Sequence, residues 1–288
     1  MKKLFLLLAL FQFNTQAEEL LIPDEQNVVT ASTNDLKNLQ WNRYTTDNFT
    51  ILSISDKQGR WFYNNIGQIK NWCLSRWGVS NYSLKQECRI MIVPNKELLK
   101  KFFNLDENHV EFREKDGKLD IVAVWLCLEE NKKEQIVDDI PRIISSICIR
   151  DMISNNKIAD KKFIEVGISL LNQSTNKIKS IIGNTENFDI NFLKTTNEEY
   201  NKLSDKLKED YNNKSLIFCL MLKKEFGEFN FLKLMFLKEN NINSIEKIYS
   251  FNFSDLDSSA NRFFKDIKEA VKNEKIDNRY LKVERSKK

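Results

Sequence analysis

Histidine occurs once in the 288 residues, as His109. A catalytic zinc site takes about three protein ligands, most of them imidazole or thiolate, and one histidine cannot stand for two. Glycine and proline are also scarce, with 7 and 3 copies; so few chain breakers argue against a many-turned β protein and for long helices. The chain lacks a G-x-S-x-G elbow, a G-x-G-x-x-G turn and a P-loop, which removes the usual serine-hydrolase and nucleotide-binding signatures. It also lacks the dense D-x-D-x-D-G spacing of a calcium loop. No two of the five cysteines have C-x-x-C spacing, so a zinc ribbon or thioredoxin-type motif is missing. Charge of one sign is not in excess. There are 45 basic and 41 acidic residues, a net charge of +4, which falls to +2 once Lys2 and Lys3 are set aside with the leader described next. A nucleic-acid-binding surface, which needs a strong basic excess, is therefore not expected. Nor is any cofactor.

What is present begins with a leader. Lys2 and Lys3 precede the apolar run Leu4 to Phe11, and Thr15-Gln16-Ala17 ends in a small residue, so residues 1–17 read as a signal peptide. The run is shorter than the ~20 apolar residues that span a bilayer, and no other transmembrane candidate follows. The expected location is periplasmic or extracellular. Export makes disulfides feasible. The cysteines are Cys73, Cys88, Cys127, Cys148 and Cys219, an odd number, so at least one thiol stays unpaired or pairs between chains. Cys73 ends an expected helix and Cys88 opens the next strand, a placement that suits a bridge tying helix to sheet. A Cys148–Cys219 pair would link two helices.

Along the chain, residues 18–45 are polar and read as irregular, with a short helix near Thr33 to Leu39. Asn48 to Ser53 predicts a strand, and Asp56 to Trp77 a helix closed by Gly78. Cys88 to Val93 predicts a strand stopped by Pro94, with Asn95 capping a helix through Phe103. His109 to Glu114 and Leu119 to Leu128 read as a hairpin around Asp116-Gly117, the second strand apolar enough to be covered on both faces. After Glu130 the pattern is helical. Ile136, Ile140, Ile143, Ile144 and Ile147 form one apolar face. Further helices are expected over Asp160 to Lys179, with Phe163, Val166, Leu170 and Leu171 inward, then Asn197 to Phe226, Phe229 to Lys238, Ser244 to Tyr249 and Ser254 to Lys272. The aromatic residues Phe102, Phe103, Phe226, Phe229, Phe231, Phe263 and Phe264 are expected to pack the core. The fold class is α+β: a small mixed β-sheet with packed helices, followed by a helical lobe. The organisation is leader 1–17, irregular segment 18–45, one domain over 46–272 (sheet lobe 46–130, helical lobe 131–272), and a basic tail 273–288.

Two phrases carry a family resemblance. Ile140-Pro141-Arg142-Ile143-Ile144-Ser145-Ser146 opens one helix, and Phe163-Ile164-Glu165-Val166-Gly167-Ile168-Ser169 lies in the next. With the later Tyr211 to Ser215, Leu216 to Gly227 and Ser254 to Phe264, this order resembles the peptidase-MA-like (gluzincin, thermolysin-type) domains of exported bacterial proteins of unknown function, over roughly residues 45–270. In that family the first phrase is P-H-E-x-x-H and the second W-x-x-E-G-x-A, whose Glu is the third zinc ligand. Some members also carry a cysteine pair similar in placement to Cys73 and Cys88. The resemblance implies a zincin-like architecture.

The departures fall on the chemistry. Residue by residue, the two histidines become Arg142 and Ser146, the catalytic Glu becomes Ile143, and, with Gly167 as anchor, the ligand Glu becomes Val166. A shift of one position puts Glu165 there instead. Arg142 sets a fixed positive charge where a cation would sit, and Ile143 cannot move a proton. The expectation is an exported pseudopeptidase with neither metal nor catalytic residues, acting in binding or envelope structure. Arg142, Ser146 and Glu165 would line the former cleft, which would take a peptide or protein ligand. The alternative is a hydrolase of another class on the same scaffold, using carboxylates or His109. The adjacent pairs Glu129-Glu130 and Asp138-Asp139 read as loop and helix-start charges rather than as a catalytic pair.

Overall fold

A computed structural model describes residues 41–79, 82–115, 118–128, 135–155, 162–236, 241–250 and 252–273. The leader, the helix expected near Thr33, the Asp116-Gly117 turn, the Glu129-Glu130 pair and the tail beyond residue 273 lie outside them. Chain contacts group the protein into two compact units. Among the described residues, one takes 41–67 with 86–113 and 121–140; the other takes 68–85, 114–120 and 141–273.

The first unit is built on a five-stranded sheet in the order β1-β2-β3-β5-β4: β1 (Asn42–Thr45), β2 (Phe49–Ser53), β3 (Cys88–Val93), β4 (His109–Lys115) and β5 (Lys118–Cys127). β1 runs antiparallel to β2, whereas β2–β3 and β3–β5 are parallel, with Ile51 opposite Ile90 and Ile90 opposite Val124. β5 thus lies inside the sheet, as its apolar run predicts. Residues 42–45 are a strand, which corrects the irregular reading of that segment. Its polar sequence has no strand periodicity of its own. It is held by pairing to β2, by Asn42 Nδ2 donating to the carbonyls of Ser53 and Ile54, both at 3.3 Å, and by Thr46 Oγ1 accepting from the Phe49 N–H at 3.1 Å in the turn.

Helix α1 (Asp56–Arg76) buries Phe62, Ile66, Ile69 and Cys73, a helical stripe at i, i+4, i+7, i+11. Gly78 ends it at φ 78°, a backbone conformation that glycine adopts without strain. Gly59 lies against the β1–β2 hairpin: a Cβ there would fall 2.5 Å from the Tyr44 ring. Helix α2 (Lys96–Phe103) starts as its sequence predicts, with Asn95 accepting from the Leu98 N–H at 2.9 Å. It buries Leu98 and Leu99 with Val93 and Cys127, and Trp41, Phe103 and Trp125 flank this cluster.

The second unit is helical. A π-helical turn (Gln135–Asp139), grouped with the first unit, leads into α3 (Ile140–Asn155), followed by α4 (Lys162–Leu171), α5 (Thr175–Asn184), a 3-10 turn (Ile190–Lys194), α6 (Asn197–Lys202), α7 (Asp205–Phe226), α8 (Glu228–Phe236), α9 (Asn241–Tyr249) and α10 (Phe253–Lys272). Of the expected isoleucine face, Ile140, Ile143, Ile144 and Ile147 are buried in α3 while Ile136, in the π-helical turn, is half-buried; Ser145, Cys148 and Ile149 are buried as well, so α3 is enclosed nearly all round. Asp151 accepts from the Tyr82 hydroxyl and from the Lys85 N–H at 2.9 Å, anchoring residues 82–85 to α3. α4 packs on α7 at Gly167, and Phe163 meets Phe218 edge-on at 5.8 Å. Phe231, Phe263 and Phe264 are core residues.

Two helices expected to be continuous are broken. The helix over 160–179 stops at Leu171. Asn172 Nδ2 donates to the Ile168 carbonyl and to Ser145 Oγ, and Ser174 starts α5 by accepting from the Lys177 N–H. Of the residues expected to face inward, Phe163 and Leu171 are buried but Val166 and Leu170 are only half-buried; Ile164, Glu165, Gly167, Ile168 and Ser169 are buried in addition. The helix over 197–226 is interrupted at Leu203 and Ser204, both extended, which separate α6 from α7.

The disulfide expectation is also corrected. All five cysteines are free thiols and all are buried. Cys73 Sγ donates to the Pro141 carbonyl at 3.5 Å and Cys219 Sγ to the Phe163 carbonyl at 3.7 Å, while Cys88 sits in β3 between its partners Phe49 and Val122. Cys73 and Cys219 are thus used as small buried packing groups.

Candidate functional site

Within the helical unit, α3 and α4 meet through a polar cluster centred on Glu165. Arg142, Ser146 and Arg150 are spaced at i, i+4 and i+8 and so share one face of α3. Lys162 and Glu165 share a face of α4 at i, i+3. Glu165 is only 4% exposed. Its Oε1 accepts from Ser146 Oγ at 3.2 Å and from Lys162 Nζ at 3.1 Å, and Arg150 Nη1 lies 3.7 Å from its Oε2. Oε2 accepts no hydrogen bond from the described residues. A buried carboxylate needs such counter-charge, because desolvation alone would cost several kcal/mol.

Tyr200, on α6, closes one side. Its ring centroid is 5.2 Å from Lys162 Nζ, a cation–π distance, and 4.9 Å from the Tyr211 ring, and its hydroxyl donates to Asn212 Oδ1 at 3.0 Å. Burial pushes the Tyr200 phenol above its ordinary value and the Glu165 carboxylate adds to this; the Lys162 and Arg142 cations and the Asn212 bond work the other way. Tyr200 is therefore in electrostatic reach of Arg142, Lys162 and Glu165 together.

The positions singled out from sequence divide as follows. Ser146 and Glu165 are in contact, and Arg142, half-buried, lies on the same α3 face. Ile143 is buried at 3% exposure and presents only hydrocarbon. Val166 is half-buried, and it is Glu165, one residue earlier, that meets Ser146. Cys73 and Cys88 do not form a bridge. His109 belongs to the sheet unit, where it is exposed on β4 with its ring 5.8 Å from that of Trp125. Arg150, Lys162, Tyr200 and Asn212 were not anticipated. Arg150 and Lys162 were legible in principle, one helical turn from Ser146 and Glu165. Tyr200 and Asn212 come from distant elements and carry no local signal.

The donor set does not fit a metal. Glu165 is the one carboxylate among these residues, and it already faces cationic side chains. No group of three or more His, Cys, Asp or Glu among the described residues is placed to hold an ion. What the arrangement offers chemically is guanidinium, ammonium and hydroxyl donors around a fixed negative charge, a set suited to recognising anionic or polar groups.

The fold and cluster together define an α+β protein with a charged polar site between two helices of its helical unit. Compared with known families and with curated proteins, the chain matches no family model and no curated sequence. Among the described residues, no helix is long and apolar enough to cross a membrane.

Proposed function

We propose that this chain is an exported, non-enzymatic domain of the peptidase-MA-like, zincin type, acting in binding or envelope structure. The observation that carries this reading is the environment of Glu165. On the two helices whose phrases resemble the metal-binding motifs, a carboxylate and a hydroxyl face each other, with Lys162 and Arg150 as the positive partners. An internal ion pair takes the role that a metal has in the family. The order of elements supports the same reading: parallel strands alternating with helices, then a β4–β5 pair, then two helices joined through Ser146 and Glu165. The leader supports export to the periplasm or beyond.

The groove follows from this reading. Arg142 supplies a guanidinium suited to a bidentate carboxylate, such as a peptide C-terminus, beside Ser146. The test uses the mature chain from Glu18. Metal analysis should find far less than one zinc per chain, with no protease activity that a chelator abolishes; bound zinc with chelator-sensitive cleavage overturns the proposal. In the same preparation, Arg142→Ala should weaken binding of acidic peptides, and equal affinity in parent and variant would sink the groove.

A further inference from the structure

Helix α6 differs from its neighbours. It has six residues and buries none of them. Its flanks are extended on both sides: Thr195 and Thr196 before it, at ψ 121° and 164°, and Leu203 and Ser204 after it, at ψ 146° and 160°. Its hydrogen bonds are largely its own. Thr196 and Glu199 form a reciprocal capping box, the Tyr200 N–H donates to the Thr196 carbonyl at 2.8 Å, and Lys202 bonds Glu198 at 3.0 Å. A short helix that satisfies itself and hangs between two extended segments can move as a unit, since hinges are element-terminal residues that absorb the change in φ and ψ. Tyr200 reaches inward from it, to Asn212, the Tyr211 ring and Lys162.

We propose that α6 is a lid over the Ser146–Glu165 cluster, latched by Tyr200. In the closed state the tyrosine ring covers Lys162 and limits access to the cluster. Release of the Asn212 hydrogen bond and of the Tyr211 ring contact lets α6 swing on its two extended flanks and opens the site to a ligand. The proposal rests on the reading of this cluster as the binding site, yet its test needs no ligand. Failure of acidic peptides to bind would remove the groove and leave the lid result standing, and the reverse also holds.

The test introduces a reporter thiol, Ser146→Cys, alone and combined with Tyr200→Phe or Tyr200→Ala. Iodoacetamide adducts are then counted by intact mass. The five native cysteines are buried, so one adduct reads the reporter and six read global unfolding. With the latch intact the reporter should react slowly. Tyr200→Phe removes one hydrogen bond and should raise the rate about fivefold. Tyr200→Ala also removes the ring pair and should raise it by about tenfold or more, still with one adduct. Equal rates in all three proteins overturn the lid, as does a reporter that reacts in the latched protein as quickly as in denaturant. Should Tyr200→Ala give six adducts, amide exchange of the parent decides: residues 197–203 exchanging faster than 205–226 supports the lid, and both segments exchanging together overturns it.

Discussion

Gly167 decides how closely α4 and α7 approach. In an exposed helix interior, glycine is less favourable than alanine by about 1 kcal/mol, so alanine there would ordinarily stabilise. Here an added Cβ would lie 2.4 Å from Cys219 Sγ and 2.6 Å from the Ser215 carbonyl oxygen. The thiol can rotate, but the carbonyl belongs to the α7 backbone and cannot yield without moving the helix. Overpacking of this kind costs about 1–3 kcal/mol and outweighs the gain in propensity. Gly167→Ala should therefore lower the free energy of unfolding by about 1–2 kcal/mol in urea titration; a variant as stable as the parent would refute the close contact. The same glycine shows how fine the residue-scale reading of the site was. Used as an anchor, it pointed to Val166, but successive helix residues project about 100° apart. A register shift of one residue separates a half-buried valine from the buried Glu165 that bonds Ser146.

At the scale of elements, the helix starts at Asn95 and Asn252 were legible from local caps, though a local cap alone did not reveal the start at Ser174. Asn95 and Asn252 each accept from the N–H three residues on, and both could be read from sequence beside the apolar stripe that follows. β3 and α1 were equally legible, since their burial largely follows period 2 and 3.6 and Pro94 and Gly78 end them, and β2 was legible as a short apolar run. The breaks after Leu171 and Lys202 were not. An apolar periodicity continues across both, and the first is fixed by a tertiary contact, Asn172 to Ser145, 27 residues away. The two restarts differ in a way that can be measured. Ser174 accepts from the Lys177 N–H, whereas Ser204 makes no side-chain cap bond. Loss of a working cap costs about 1 kcal/mol. Ser174→Ala should destabilise by about that amount, and Ser204→Ala by no more than a few tenths. Equal losses in thermal or urea unfolding would show that cap geometry does not govern these helix starts.

For the whole molecule, the α+β order of sheet then helices was readable because glycine and proline are few and the apolar period changes after Glu130. The state of the cysteines was not, because pairing depends on three-dimensional proximity, and Cys73 and Cys88 are both buried as free thiols, Cys73 bonded to the Pro141 carbonyl. The free thiols have a chemical consequence. Burial pushes the Cys73 thiol up to about 12, against smaller opposing effects of Ser145 and Arg76, and burial pushes Cys219 up further. The thiolate is the reactive form, and an unperturbed cysteine titrates near 8.5. At pH 8 the folded protein should therefore take up no alkylating agent in the time that a free thiol reacts fully. Once unfolded in denaturant without reductant, it should take up five equivalents. The count should be the same for chain recovered from an oxidising compartment, since an inaccessible thiol can neither attack nor be attacked in disulfide exchange. Adducts on the folded protein would contradict the burial of these side chains. A count of three in denaturant, restored to five by reductant, would mean that a disulfide forms after all and would return Cys73 and Cys88 to consideration.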